Sequence, residues 1–545
     1  LEAEGVEYII GIPGNEINDV VVAIERSERI EYILARDENN AAFAASGCME
    51  MGKRCVCFST VGPGILKMVM PVTNAYQDRI PLVVLSGETD QSITYRELHQ
   101  RAPVREIFGL IAKDATTIPN SDPKDISNIV SNAFKKAYEE KPGPCYIGLP
   151  VNIARMRIAQ YIHPKRHGRS RRPDPDQPVL DFVSENIRNA KNPLIIAGSG
   201  ILRERPGETA KALRDLVQQH SIPVVTTIMG KSAIPNSSPL YVGVLGVDPE
   251  AQEFIDSADV IITVGYEIAE YGPEKWNRHR TERIVHIDYV SADENYFYPL
   301  IPHADRDWNS QIVGDIKRSL EELDGELDED IDKGLIEYIS GNSHEMIEKI
   351  KEIQKTKLNT MKDIEKGPSP FHPLAAATAI RENLLPEDIV ICSVGTMKSL
   401  CARYLQIEKP THFYVPNTLS PMGFALPFAL GAKLARPGNR VIAICGDGSF
   451  KMSSSELEVA VEKGMPITII IFNNNQLGLI TKQQQSAFGT AFGTRFEQET
   501  DYIEMAESMG VERVFRIDSY EEIGKVLNDT ANLDEPVVIE IPVEE

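Results

Sequence analysis

The sequence predicts an α/β protein built from three doubly wound parallel-sheet domains. Its 545 residues exceed what one hydrophobic core usually supports. Short apolar runs recur with amphipathic segments between them, the rhythm of strands crossed over by helices. Two hydrophilic stretches, 166–178 and 324–367, interrupt this rhythm, and it restarts after each.

The first domain is expected over residues 1–165. Its strands are read at 8–12, 31–35, 55–59 and 145–150, with a helix over 41–51. The stretch 166–178 is rich in Arg, Pro and Asp and reads as a linker. The second domain is expected over 179–323, with strands at 194–197, 224–227, 260–264 and 284–287. Gly198-Ser199-Gly200 follows its first strand but lacks the third glycine of a dinucleotide loop, so a tight strand-to-helix turn is the better reading. Residues 324–367 form an acidic, Lys-rich helical connector. The third domain, 368–545, has strands at 389–392, 441–445, 467–472 and 537–541 and an amphipathic helix at 455–463.

Composition narrows the function classes. Charged residues at 25% and hydrophobic residues at 42% are ordinary for a globular chain. A formal charge of −23 argues against nucleic acid or an anionic membrane as the main partner, since both need a basic surface. The basic run 165–172 reads as a solvated part of the linker. No apolar run approaches the ~20 residues of a membrane span and no signal peptide opens the chain, so a cytoplasmic location is expected. Seven cysteines lack the spacing of a zinc site or a disulfide framework; Cys55 and Cys57 alternate along a strand as small buried side chains.

The chemistry is concentrated in Gly446-Asp447-Gly448, one strand–helix–strand crossover before Asn473-Asn474-Asn475. Asp447 and Asn474 are expected side by side at the carboxyl ends of neighbouring parallel strands, where open α/β sheets bind ligands. One charged and one neutral oxygen, with positions left for phosphate and water, suit Mg²⁺ carrying a diphosphate. The glycines let backbone N–H groups approach phosphate oxygens.

This pattern resembles the cofactor motif of thiamine diphosphate (thiamine pyrophosphate) enzymes. The resemblance spans nearly the whole chain and is nearest to the acetolactate synthases of the catabolic, FAD-independent type. It rests also on Gly11-Ile-Pro-Gly14, Val61-Gly-Pro-Gly64, Asn74-Ala-Tyr-Gln-Asp-Arg-Ile-Pro81, His99-Gln100, Val394-Gly395 and Pro421-Met-Gly-Phe-Ala-Leu-Pro427. It implies Mg²⁺ on Asp447, Asn474 and the main-chain carbonyl of Gln476, with Gly395, Thr396, Gly446, Gly448 and Ser449 near the diphosphate. Met422 is implied to bend the cofactor, and its main chain with that of Ser420 to hold the pyrimidine edge. Glu38 corresponds to the glutamate that exchanges a proton with the pyrimidine, a role needing a carboxyl that stays protonated near neutrality. Gln100 and Gln483 are implied to position substrate.

The implied reaction decarboxylates pyruvate and condenses the retained two-carbon unit with a second pyruvate. Other 2-keto acid decarboxylases and acyl-CoA lyases share the machinery, and a cofactor-binding paralogue without activity is a further alternative that Glu38 argues against. Gln483 and the segment Gly265 to Asn277 depart from the flavin-carrying branch, so FAD is not expected. Glu38 and Asp447 are implied to meet across a homodimer, alone or as a dimer of dimers. The chain departs from the catabolic pattern at Glu16, where a lysine is usual and where a carboxylate would repel pyruvate, and at Asp37, Thr396-Met397 and Ile65-Leu66-Lys67.

Overall fold

The computed structural model describes residues 1–544 except 94–96, 120–123, 158–163, 165–167, 169, 204–206, 280–282 and 329–332, with backbone alone at 124 and 333–344. Part of the basic run 165–172 therefore lies outside the described residues. The chain folds into three six-stranded sheets whose paired strands all run parallel. The first contains β1 (Val6–Gly11), β2 (Glu31–Leu34), β3 (Arg54–Ser59), β4 (Leu82–Glu88), β5 (Asp114–Thr117) and β6 (Pro144–Pro150), in the order β2-β1-β3-β4-β6-β5. The second contains β7 (Pro193–Ala197), β8 (Val224–Thr226), β9 (Tyr241–Val244), β10 (Val260–Val264), β11 (Ile284–Asp288) and β12 (Gln311–Val313), in the order β12-β11-β10-β7-β8-β9. The third contains β13 (Ile389–Cys392), β14 (Phe413–Tyr414), β15 (Val441–Gly446), β16 (Ile467–Asn473), β17 (Arg513–Arg516) and β18 (Val537–Pro542), in the order β14-β13-β15-β16-β18-β17.

The central strands are continuous apolar runs because helices cover both faces, and this makes them readable in sequence. The reading leaves out β4, although it is a central and buried apolar run, and it does not single out β5, β9, β12, β14 and β17. These last five are edge strands, short or polar, such as the alternating Arg513–Arg516. The glycines at 198 and 200 answer to backbone packing: a Cβ on Gly198 would stand 2.2 Å from the Gly265 carbonyl oxygen. In the connector region the helix Ile316–Asp328 buries Leu320, Leu323 and Leu327 in the core of the middle sheet.

The first and third domains share one hydrophobic core. Helix Glu38–Glu50 carries Ala41, Ala42, Ala44, Ala45 and Gly47, and it crosses helix Ala425–Ala435, which carries Ala425, Ala429, Gly431 and Ala432. Backbones touch at the crossing. A Cβ on Gly431 would lie 1.8 Å from the Ala44 carbonyl oxygen, and one on Gly47 would lie 2.2 Å from that of Phe428. Only small residues at both positions allow this approach.

Candidate active site

Two clusters form at the carboxyl ends of the outer sheets. In the third domain β15 and β16 pair in register, Gly446 opposite Phe472, so Asp447 and Asn474 leave adjacent strands together. Asp447 opens the helix Asp447–Lys451 at once, a short turn that apolar periodicity does not announce. Its Oδ1 accepts the Gly448 N–H at 2.8 Å, while its Oδ2 is buried with no hydrogen-bond partner among the described residues. Burial pushes the Asp447 carboxyl up to about 6, against the pull of nearby main-chain N–H groups and Lys451. A buried, half-satisfied carboxylate favours a cation beside it.

The asparagine run divides its work. Asn473 Nδ2 donates to Glu540 Oε1 at 2.7 Å, and Asn475 takes a left-handed backbone, φ 52°, and donates to the Phe496 carbonyl oxygen at 3.0 Å. Asn474 is left lining the cleft with Thr396, Met422, Gly446, Asp447, Gly448 and Gln476. Gln476 is buried, its Oε1 accepting from Thr481 Oγ1 and its Nε2 without a partner among the described residues. Ser449 ties the walls together: its Oγ lies 2.5 Å from Ser393 Oγ and accepts the Gly423 N–H at 2.8 Å, which fixes the loop carrying Met422. A Cβ on Gly448 would stand 3.1 Å from Leu477 Cδ2 and 3.3 Å from Phe496 Cζ, with Met422 Cε at ordinary contact distance, 3.4 Å. Gly395 caps helix Thr396–Tyr404 with φ 152°, another helix N-terminus facing the cleft. Ser420 adopts φ 56°, and its Oγ donates to the Asn417 carbonyl oxygen at 3.0 Å.

This donor set is an oxygen set. Among the described residues no three His, Cys, Asp or Glu gather as a metal site. One carboxylate with amide and carbonyl oxygens suits Mg²⁺, which keeps waters and shares phosphate oxygens, better than it suits zinc.

The second cluster crowns the first domain. Asp37 caps its helix by accepting the Asn39 N–H at 2.8 Å, making Glu38 the first helical residue. Glu38 is 9% exposed, and a Cβ on Gly64 would stand 2.9 Å from its Oε1. Gln100, exposed and at φ 58°, has its carbonyl oxygen 2.3 Å from where a Cβ on Gly62 would be. The Gly62-Pro63-Gly64 turn thus brings Glu38 and Gln100 to one place. Lys67 lies 2.6 Å from Asp37 Oδ2 and 3.5 Å from Glu38 Oε2. Glu16 does not turn away from this cluster: its Oε2 accepts from Thr60 Oγ1 at 2.7 Å, and Thr60 also borders Gly14 and Gly64. Gln483 sits elsewhere, exposed on helix Gly478–Phe488 beside the third-domain cleft.

Comparison with known proteins matches the domains that carry these clusters. Residues 1–109 match the N-terminal TPP binding domain of thiamine pyrophosphate enzymes, 180–323 their central domain and 393–541 their C-terminal TPP binding domain. A "Probable acetolactate synthase large subunit" of Methanococcus aeolicus is 30% identical over 100% of this chain and 90% of the relative. The chain belongs to the thiamine pyrophosphate enzymes. An acetolactate synthase of Mycobacterium bovis is 28% identical over 100% of the chain and 86% of the relative, and one of Bacillus subtilis 27% identical over 100% and 92%.

As a thiamine pyrophosphate enzyme of the acetolactate synthase type, the chain has Gly62, Gly64, Gly395, Gly446 and Gly448 at turns and helix N-termini of its two outer domains. Sequence reasoning missed Ser393, Thr60 as the partner of Glu16, and Lys67 as the partner of Glu38. Each acts through a neighbour distant in the chain, and no local pattern marks it.

Proposed function

We propose that this enzyme decarboxylates pyruvate and joins the retained two-carbon unit to a second pyruvate, giving acetolactate, with thiamine diphosphate and Mg²⁺ and without FAD. The observation that carries this reading is the buried Asp447 Oδ2, which has no partner among the described residues and borders the glycine-lined cleft. Asp447, Asn474 and the Gln476 carbonyl would hold Mg²⁺, and Gly395, Thr396, Gly446, Gly448 and Ser449 would face the diphosphate. Ser420 and Met422 would hold the pyrimidine side. When bound, the cofactor supplies the electron sink for decarboxylation. Glu38 holds and returns a proton at the pyrimidine, and Gln100 and Gln483 orient substrate.

The working unit is a homodimer, alone or paired again. The cleft residues around Asp447 all come from the third domain, whereas Glu38 and Gln100 belong to the first. Beside the cleft, Leu479, Ile480, Phe488, Phe492 and Met452 are exposed, with Phe492 at 90%, an apolar face suited to cover by a second copy. Mixing Glu38→Gln and Asp447→Ala chains tests this arrangement. Activity regained by the mixture supports a shared site; none regained would reject it.

Incubation with pyruvate, thiamine diphosphate and Mg²⁺ tests the reaction. Acetolactate is the expected product, and absence of CO₂ release would sink the proposal. Glu16 favours a second reading, a decarboxylase or lyase whose partner substrate is not a small carboxylate, because its carboxylate stays in the first-domain cluster on Thr60. Acetaldehyde without acetolactate would favour that reading. The described residues contain no helix long and apolar enough to cross a membrane, and a cytoplasmic location is proposed on that basis and on the acidic charge.

A further inference from the structure

Glu456 is 2% exposed and belongs to the third domain, yet its side-chain hydrogen bonds among the described residues all reach the first. Its Oε1 accepts the main-chain N–H of Arg36 at 3.0 Å, that of Asp37 at 3.2 Å and the side-chain amide of Asn40 at 3.4 Å. Arg36 and Asp37 are the two residues before Glu38. This is not helix capping, which Asp37 already performs on Asn39. The amides that Glu456 takes belong to the corner where β2 turns into the helix. Around them, the Arg36 guanidinium reaches Glu458 Oε2 at 2.7 Å and the Glu462 carboxylate. Burial pushes the Glu456 carboxyl up to about 7. A group so costly to bury is retained only where donors answer it, and here those donors come from the strand-to-helix corner.

We infer that Glu456 is a positioning residue for Glu38, fixing from the third domain the corner on which that carboxylate is mounted. The inference rests on the proton-holding role proposed for Glu38. The seat is continuous with the diphosphate loop: helix Asp447–Lys451 is followed by the bonds Ser453 N–H to Phe450 O and Glu456 N–H to Ser453 O, both 3.0 Å. Asp447, Glu456 and the Glu38 corner of one chain therefore form one block. In the shared-site dimer, where a chain's Glu38 and Asp447 serve different sites, this block ties the two sites together.

The test compares full-length Glu456→Ala, Glu456→Asp and Glu456→Gln with the unsubstituted protein. Amide hydrogen exchange of residues 36–40 is followed without cofactor, and thiamine diphosphate with Mg²⁺ is then added to measure its affinity and the exchange rate of its C2 proton. In the Ala and Asp variants the Arg36 and Asp37 amides are expected to exchange at least about 10-fold faster. Their C2 exchange should fall at least about 10-fold while cofactor affinity stays within about 3-fold, since a small displacement of a catalytic group is costly. Gln keeps an acceptor oxygen and should restore both rates to within a few fold. Unchanged amide protection in the Ala and Asp variants would overturn the inference, as would lost protection with unchanged C2 exchange. If the Ala chain does not fold, the Asp chain decides by the same two readouts. An unsubstituted enzyme that exchanges the C2 proton but makes no acetolactate would refute the proposed reaction alone and leave this test intact.

Discussion

Counted from their own first strands, the first and third domains share one strand order, 2-1-3-4-6-5, while the middle domain runs 6-5-4-1-2-3. The two alike domains present opposite chemistry from the same loops. After its third strand the first domain places Gly62-Pro63-Gly64 against the Glu38 carboxylate and Gln100. At the end of its third strand the third domain places Gly446 and Gly448 at a helix N-terminus beside an Asp447 oxygen without a partner among the described residues. Topology sets where loops converge, and the residues in them decide the chemistry, which in the proposed function is proton transfer in one domain and phosphate binding in the other.

The comparison breaks most visibly at Glu38. Glu38→Gln is expected to leave cofactor affinity intact and lower turnover by about 10²–10⁴-fold, measured as kcat beside a calorimetric Kd. Turnover near that of the unsubstituted enzyme would remove the proton role from the first domain. Asp447→Ala is expected to do the reverse, weakening Mg²⁺-dependent cofactor binding by roughly 100-fold or more; undiminished affinity in the same titration would remove the metal role from the third.

The shared core between the two domains gives the next effect. Gly431→Ala forces a methyl group against the Ala44 carbonyl oxygen and should destabilise the fold by about 1–3 kcal/mol, read from the denaturant midpoint. Stability unchanged by this substitution would mean that the two helices can part freely.

The effect in the middle domain, the odd member of the comparison, is confined to part of the pH range. Glu270 follows β10 and touches the third domain, its main-chain oxygen accepting from Asn417 Nδ2 at 3.2 Å. Its Oε1 accepts the Met229 N–H at 2.6 Å, its Oε2 is buried with no partner among the described residues, and burial pushes its carboxyl up to about 7. The folded state then holds this proton more tightly than the unfolded chain, so the group lowers stability as pH rises from about 4.5 to 7. Glu270→Gln should raise stability by about 1–3 kcal/mol at pH 8 and by almost nothing at pH 4. Equal gains at both pH values in thermal melts would show that titration is not the cause.

Legibility in the sequence followed the range of the interactions. Asp447 and Asn474 were readable because adjacent strands joined by one crossover bring them together, and the central strands other than β4 because burial on both faces leaves an apolar run. Glu38 was readable only through a family pattern, since a carboxylate at a helix start is common for dipole reasons alone. Glu456 had no local signature: its hydrogen bond to the Asp37 amide spans 419 residues. The edge strands β14 and β17 were hidden by brevity and by charge, and the helix opening at Asp447 by its five residues.

The crossing of helices Glu38–Glu50 and Ala425–Ala435 also bears on how the protein is made. The earlier helix leaves the ribosome with its small-residue face uncovered, and the surface that covers it does not yet exist. At ordinary elongation rates the wait is roughly 20 to 80 s. During synthesis the first domain is thus a fold with one side of its core open, completed only when the third domain arrives and Gly431 settles on Ala44.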